Sequence, residues 1–329
     1  MKFRIEDKLL SVYHVHLVLI SLIVCISVMY YFNGPSWCEG LKYLYPIPIT
    51  LESLHSGKGL DLMDLKPINT ENVYGTKHNP LHVCSTKRLD ILCVVKSSPQ
   101  NIGRRLAIRE SWGKLASKGT NKLIFSLGDT KLITLQNIIE NEAERFSDIL
   151  QFNFQDAYRN LTVKLINNVR WTSMFCSQAK FVAFIDDDIA INFRNLQNFL
   201  RNLSSSDTDL LYTGYVVYGH GISPSRDESK HNLSWDEYKY PCFPSYVSGA
   251  ITITSGRTLK LFDAAIPYVK PFFVDDVYLG VVALKLGITL SPHNNHMFDH
   301  DGSRLHEYSN LISSNQGPTF SWEVYELTR

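Results

Sequence analysis

An α/β fold with a mostly parallel sheet and helices on both faces is what this 329-residue sequence predicts. Short β-rich runs alternate with stretches of helical spacing, the pattern that places strands side by side with helices packed over them. The run FVAFID at 181–186 is apolar up to its last residue, as a strand covered on both faces must be. A content of 44% hydrophobic and 12% aromatic residues is enough to bury a full core, as one large domain or two small ones.

Taken in order, residues 1–10, MKFRIEDKLL, form a basic cytoplasmic tail with Lys2, Arg4 and Lys8. Residues 11–32 are almost unbroken in hydrophobicity and carry no charge, long enough for the roughly 20 residues a bilayer crossing needs. Tyr30, Tyr31, Phe32 and Asn33 follow instead of the small residues of a cleavage site, which favours a single-pass anchor over a cleaved signal peptide. The basic flank then stays cytoplasmic and the C-terminal bulk is lumenal, a type II arrangement. Residues 33–86, rich in Pro, Gly, Asn and Ser, read as a stem, and 87–329 as the catalytic domain.

Within that domain DILCVVKSS is a strand ending at Ser97 and Ser98, and IGRRLAIRESWGKL has helical spacing. NKLIFSLGD at 121–129 is a second strand, and 131–149 and 157–176 read as helices. FVAFID then ends on Asp186, Asp187 and Asp188; the helix NLQNFLRNL follows, then LLYTGYVV, a polar and aromatic stretch to Pro244, YVSGAITITS and FVDDVYLGVVALKLGI. In such sheets ligands gather at the carboxyl ends of the strands, so the Ser97, Gly128 and Asp186 ends share one rim.

Three successive carboxylates after a buried strand repel one another unless a cation arrives. With the backbone extended, Asp186 and Asp188 point to the same side, a D-x-D pair of hard oxygen ligands suited to Mg²⁺ or Mn²⁺ with positions left for substrate phosphates. The plain alternative is an acidic cap for the helix that follows. Asp275-Asp276 starts a second helical run, either as acids favouring its dipole or as a site for a general base. Farther on, any one of His293, His296 and His300 could add an imidazole ligand. Arg105 and Arg109, four apart, share a helix face that is either a diphosphate clamp or an exposed basic surface. Gly249, in Ser248-Gly249-Ala250, either lets the backbone approach a ligand or makes a turn.

The sequons at Asn160, Asn202 and Asn232 become glycan acceptors in a lumenal domain. Of six cysteines, Cys25 lies in the apolar run, Cys93 reads as a buried small hydrophobe, and Cys38, near the membrane, could link two chains as a homodimer. A net charge of +1 gives no sign of a nucleic-acid partner.

Six motifs, in order, resemble the β-1,3-glycosyltransferases of the Golgi: Arg105-x-x-Ile108-Arg109-x-Ser111-Trp112-Gly113, Phe125-Ser-Leu-Gly128, Asp156-x-Tyr158-x-Asn160-Leu161-Thr162-x-Lys164, the Asp186–Asp188 triplet with Asn192, Ser248-Gly249, and Asp275-Asp276-Val277-Tyr278-x-Gly280. The resemblance covers residues 89 to about 295 of a family that includes galactosyl- and N-acetylglucosaminyltransferases. It implies a GT-A fold, a nucleotide-sugar donor, Mn²⁺ and a type II anchor. The sequence departs from the family pattern at Phe184, Leu165, Val247, Ala250 and Asp275.

The combined expectation is an inverting hexosyltransferase of the Golgi membrane. It would take galactose or N-acetylglucosamine from a UDP-sugar to the 3-hydroxyl of a glycan acceptor on protein or lipid. Asp188 and His293 would hold Mn²⁺ with Asp186 nearby, Asp276 would be the base, and Ser97, Arg105, Arg109, Asp187 and Gly249 would meet the nucleotide sugar. Two alternatives are a phosphohydrolase of the haloacid dehalogenase kind, whose two acidic motifs Asp186-x-Asp188 and Asp275-Asp276 imitate, and a carbohydrate-binding protein that kept the fold and lost turnover. The arginine and tryptophan motif at 105–113 speaks against the first, intact Asp188 and Asp276 against the second.

Overall fold

The computed structural model describes residues 20–24, 67–69, 71–219, 222–291, 297–299, 311–314 and 317. The tail, most of the expected 11–32 anchor, the stem up to 66, Cys38, and the three candidate histidines His293, His296 and His300 lie outside the described residues. Among the described residues no helix is long and apolar enough to cross a membrane.

A seven-stranded sheet forms the centre, in the order β1-β4-β3-β2-β5-β8-β7. Its strands are β1 (Thr76–His78), β2 (Leu89–Lys96), β3 (Asn121–Asp129), β4 (Ile149–Gln155), β5 (Ala179–Asp186), β7 (Tyr212–Val217) and β8 (Tyr246–Ser255). The four inner strands β4, β3, β2 and β5 are parallel, whereas β1 runs antiparallel on β4 and β8 and β7 run antiparallel beyond β5. The sheet is therefore mixed around a parallel centre. A small second sheet joins β6 (Ala190–Ile191), β10 (Ser313–Ser314) and β9 (Phe298–Asp299).

Alternation along the strands divides the core into two layers. Leu92, Val94, Val182 and Phe184 face one cluster; Ile91, Cys93, Val95, Ala183 and Ile185 face the other. The helices, numbered along the chain, are α1 (Ile102–Glu110), α2 (Gly113–Ala116), α3 (Ile133–Phe146), α4 (Leu161–Phe175), α5 (Phe193–Asn202), α6 (Ser205–Asp209), α7 (Gly256–Ala265) and α8 (Asp275–Leu286). The first cluster packs under α4, α7 and α8 through Leu165, Val169, Phe262, Val277 and Val281. The second packs under α1, α3 and α5 through Ile108, Ile139, Phe193, Leu196 and Leu200, with Trp112 among them. Helix α5 shows the economy of the pattern: one apolar stripe faces inward, and the Asn192 side chain caps its start by accepting from the Asn195 N–H.

Two expectations need correcting. The helix read over 131–149 ends early, and the stretch left unassigned before 157 is a strand: α3 stops at Phe146, Ser147 takes the left-handed conformation at its end, and ILQFNFQ extends as β4. The stem boundary at 86 is also too late. Thr76–His78 already pairs with β4, and the 3₁₀ turn Leu81–Cys84 is tied to the end of α4 by the Cys84–Cys176 disulfide. Cys93 is free and buried, as expected.

Candidate active site

The rim predicted from the strand ends is real, and its central group is one the sequence reading passed over. Lys96, the last residue of β2, stands in register beside Asp186, the last of β5. Its Nζ lies 3.0 Å from Asp186 Oδ1 and 3.1 Å from Asp275 Oδ2, and donates to the Gly249 carbonyl at 3.2 Å. Burial works against its charge, but the two carboxylates outweigh that and hold the ammonium above its ordinary value. One buried cation thus joins the end of β5, the strand β8 and the start of α8.

Asp276, in the first turn of α8, accepts from the Gly249 N–H at 3.2 Å and from the Val277 N–H at 2.7 Å. Burial first, then the neighbouring charge of Asp275, pushes its carboxyl up to about 7, while Lys96 and the two N–H groups partly offset the rise. That places a carboxylate where it can accept a proton near neutral pH. Asp275 instead is buried against Lys96, which fits a supporting role.

The aspartate triplet does not continue the strand. β5 ends at Asp186 and the chain turns at Asp187 and Asp188, so the three carboxylates take different directions. Asp186 meets Lys96. Asp187 is buried and accepts from Ser97 Oγ (2.7 Å), Asn101 Nδ2 (2.9 Å) and Arg104 Nη1 (2.7 Å). Asp188 is half exposed and meets the same Arg104 nitrogen at 3.2 Å. Asp187 and Ser97 therefore hold the wall together through each other.

Arg105 and Arg109 have different work from the clamp expected of them. Arg105 is fully buried, with two bonds to Glu142 (2.9 and 2.7 Å) and others to Ser97 Oγ, the Ser98 carbonyl and the Pro99 carbonyl. Arg109 is nearly buried between Glu142 and Asp148 and stacks over Phe125 and Phe146. Their N–H groups point into the fold, because the helix face they share is the inner one. The arginine that reaches the rim is Arg104, one residue earlier. Lys164 of the third motif is likewise buried, bonded to Asp156 at 2.8 Å and to the Ser97 carbonyl at 2.6 Å.

These groups line a cleft with two lobes. The smaller, about 360 Å³, is bounded by Ser97, Asn101, Arg104, Lys164 and Asp187. The larger, about 570 Å³, holds Asp276, Ser248 and Gly249 with the aromatic side chains of Phe243, Tyr246 and Phe273. Tyr158, Leu161, Asp186 and Asp188 border both lobes. One lobe is thus polar and charged, the other carries a candidate base among rings. Around the two lobes six carboxylates face three lysine or arginine side chains. Asp186 and Asp188, paired with Lys96 and Arg104 but each about half exposed to the cleft, are the hard-oxygen groups that could hold a cation there. Among the described residues no three His, Cys, Asp or Glu side chains converge to hold a metal on their own.

Of the sequons, Asn202 is exposed at the end of α5. Asn160 lies at the start of α4, bonded to the Gln155 carbonyl, and its sequon partner Thr162 is buried, with its hydroxyl bonded to the Phe272 carbonyl. Asn232 is bonded to the Asp227 carbonyl beside the larger lobe.

The profile of the galactosyltransferase family matches residues 103–294, from α1 to beyond α8. The chain belongs to the galactosyltransferase family. It is 32% identical over 243 residues to a human lactosylceramide 1,3-N-acetyl-β-D-glucosaminyltransferase, covering 71% of this chain and 64% of that enzyme. A Danio rerio lactosylceramide 1,3-N-acetyl-β-D-glucosaminyltransferase A is 32% identical over 245 residues, with 70% and 64% covered. The chain thus spans slightly less than two thirds of the length of these relatives. Among solved structures, the apo form of the bifunctional glycosyltransferase WbbM aligns with a TM-score of 0.40 at 10% identity, over 70% of this chain and 46% of that one. Family membership sets aside the phosphohydrolase alternative. All six motifs that carried the resemblance begin inside or end within the matched span.

Proposed function

We propose that this family member is an inverting β-1,3-glycosyltransferase of GT-A type that moves galactose or N-acetylglucosamine from a UDP-sugar to the 3-hydroxyl of a glycan acceptor. The observation that carries the reading is Asp276: a carboxylate lifted toward neutrality, fixed by two backbone N–H groups, facing the larger lobe across from Asp186 and Asp188. In this reading the smaller lobe takes the nucleotide, with Arg104 at the diphosphate and Ser97, Asn101 and Asp187 forming its floor. The larger lobe takes the acceptor, whose sugar faces meet the rings of Phe243, Tyr246 and Phe273.

Asp276 takes the proton from the acceptor 3-hydroxyl as that oxygen attacks the anomeric carbon from the side opposite the diphosphate. The new C–O bond forms as the bond to the β-phosphate oxygen breaks, so an α-linked donor gives a β-linkage. Lys96 holds Asp275 and the Gly249 carbonyl in place, and so holds the start of α8 against the donor side. Asp186 and Asp188, with His293, would hold Mn²⁺, which when bound neutralises charge developing on the departing UDP. The relatives' names favour N-acetylglucosamine as the sugar and a glycolipid as the acceptor. An oxidised Cys84–Cys176 pair, three sequons and the apolar 11–32 run support a Golgi membrane protein with a lumenal catalytic domain.

The test is direct. The full chain, expressed in membranes, is given a panel of UDP-sugars with Mn²⁺ and lactosylceramide or free lactose. The expected outcome is consumption of one UDP-hexose and a product with a new β-1,3 bond, lost on chelation. Failure of every UDP-sugar with every glycan acceptor would overturn the reading.

A further inference from the structure

One wall of the larger lobe comes from the segment 222–243, which presents Ser223, Ser225, His231 and Phe243 to the cavity. This segment has no helix or strand of its own among the described residues. Arg226 holds it together internally, donating to the carbonyls of Leu233, Tyr238 and Tyr240. Leu233, Tyr238 and Phe243 seat it in the first core cluster and Lys270 donates to the Asp236 carbonyl, while beside the larger lobe it is tied by two adjacent residues in the 3₁₀ turn Tyr158–Asn160 that leads into α4. The Tyr158 hydroxyl lies 2.8 Å from His231 Nδ1. Arg159 donates to the Asn232 carbonyl at 3.1 Å, pairs with Glu237 at 2.5 Å, and lays its guanidinium 4.1 Å over the Phe273 ring.

We infer that Tyr158 and Arg159 form a clasp that fixes the acceptor wall, and that Arg159 is a positioning residue for acceptor selection. The inference rests on reading the larger lobe as the acceptor site. Arg159 borders neither lobe, so it acts through the wall and not on substrate. Tyr158 borders both, so the clasp is joined at the point where donor and acceptor lobes meet. The smaller lobe is lined by the end of β2, the start of α1, the end of β5 and residues 156–164, and by none of the 222–243 segment. The exposed Arg159–Glu237 pair alone would contribute little. What distinguishes it is that one planar group serves a carbonyl and a carboxylate of the 222–243 segment and the ring of Phe273 on a second piece of chain, a geometry lysine cannot copy.

The experiment uses the full-length protein as wild type, Arg159→Met, Arg159→Lys and Glu237→Gln. Initial rates are measured against acceptor at saturating UDP-sugar and against UDP-sugar at saturating acceptor, with acceptor-independent donor hydrolysis as a third reading. Arg159→Met should raise the acceptor KM about tenfold and reorder a panel of acceptors, with donor KM and hydrolysis within about twofold of wild type. Arg159→Lys should restore only part of the loss, and Glu237→Gln should move the acceptor KM the same way by less. If Arg159→Met proves too unstable to assay, Glu237→Gln decides, an unchanged acceptor KM counting against the clasp. Equal rises in donor and acceptor KM, or no rise in either, overturn the inference while leaving the transferase reading intact. Absence of transfer by the wild type overturns both.

Discussion

Two charged networks meet at Ser97, and they are built to opposite rules. On the α1 side, Arg105 and Arg109 face Glu142 and Asp148, and every partner is buried or nearly so with its bonds made inside the protein. On the α8 side, Lys96 faces Asp186 and Asp275 with Asp276 and Asp188 beyond them, so acids outnumber bases and part of the carboxylate surface stays open to the cleft. A balanced network carries structure, because a removed partner strands a buried charge. An unbalanced, open one is poised to receive a ligand and to tune a base. The same residue types thus do different work according to whether the count closes.

The largest expected effect breaks the balanced side. Arg105→Met leaves Glu142 with Arg109 alone and should lower stability by about 3–5 kcal/mol, the scale for stranding a buried charge. Urea unfolding of the purified domain measures it; a loss under about 1 kcal/mol would mean that the network carries little of the fold.

Next comes the unbalanced side. Asp276→Asn should cut transfer by on the order of 10²-fold or more, with UDP affinity near wild type. It should not weaken the fold at neutral pH, because it replaces a carboxyl that burial holds above its ordinary value. Asp275→Asn should retain measurable transfer. Equal and small losses in both variants would return Asp276 to the role of a helix-start acid.

The third prediction is a pH profile. A base with its carboxyl at about 7 is active when deprotonated, so kcat/KM should rise with pH, level off above about 7 and fall about tenfold per unit below it. The sign for stability is opposite: the folded form keeps a proton that the unfolded chain gives up between 3.8 and about 7, so this group's contribution weakens as pH rises through that window. A kcat/KM limb centred below about 5 would assign the base elsewhere.

How legible these networks were from sequence follows from how local each signal is. The apolar strand ending on Asp186 was plain, as was the acidic start of α8, because each is contiguous. The face of α1 was not. A four-residue spacing says that Arg105 and Arg109 look the same way, but their partners Glu142 and Asp148 lie 37 and 39 residues farther on, and only the packing of α3 and β4 turns that face inward. Arg104, near the same strand end but off that spacing, was left out of the clamp for the same reason. Lys96 hid as the polar end of VVKSS, and its meaning comes from partners 90 and 179 residues away in sequence. β4 fell in the stretch left unassigned between the helices read at 131–149 and 157–176, although its alternation of Leu150, Phe152 and Phe154 with Gln151, Asn153 and Gln155 was the signal that could have found it.

The smallest expected effect sharpens the open network at its one glycine. A Cβ at Gly249 would sit 3.5 Å from Lys96 Nζ and 3.6 Å from Asp276 Cβ, ordinary contact distances, and the residue has no left-handed φ to forbid it. The Gly249 N–H would still reach Asp276 and its carbonyl would still accept from Lys96, so both bonds that tie β8 to the base survive. Gly280, on α8, is the contrast: there a Cβ would press within 2.6 Å of Tyr246 Cβ and 3.1 Å of the Ser245 carbonyl, with little room to yield. Gly249→Ala should therefore leave stability within about 0.5 kcal/mol and transfer within about threefold of wild type, as for substitutions that break no named contact. Gly280→Ala, measured beside it, should cost clearly more stability by forcing β8 away from α8. If instead Gly249→Ala cuts transfer by an order of magnitude at unchanged stability, the glycine is there for a ligand's close approach, and the open side of the network is shaped by substrate and not only by charge.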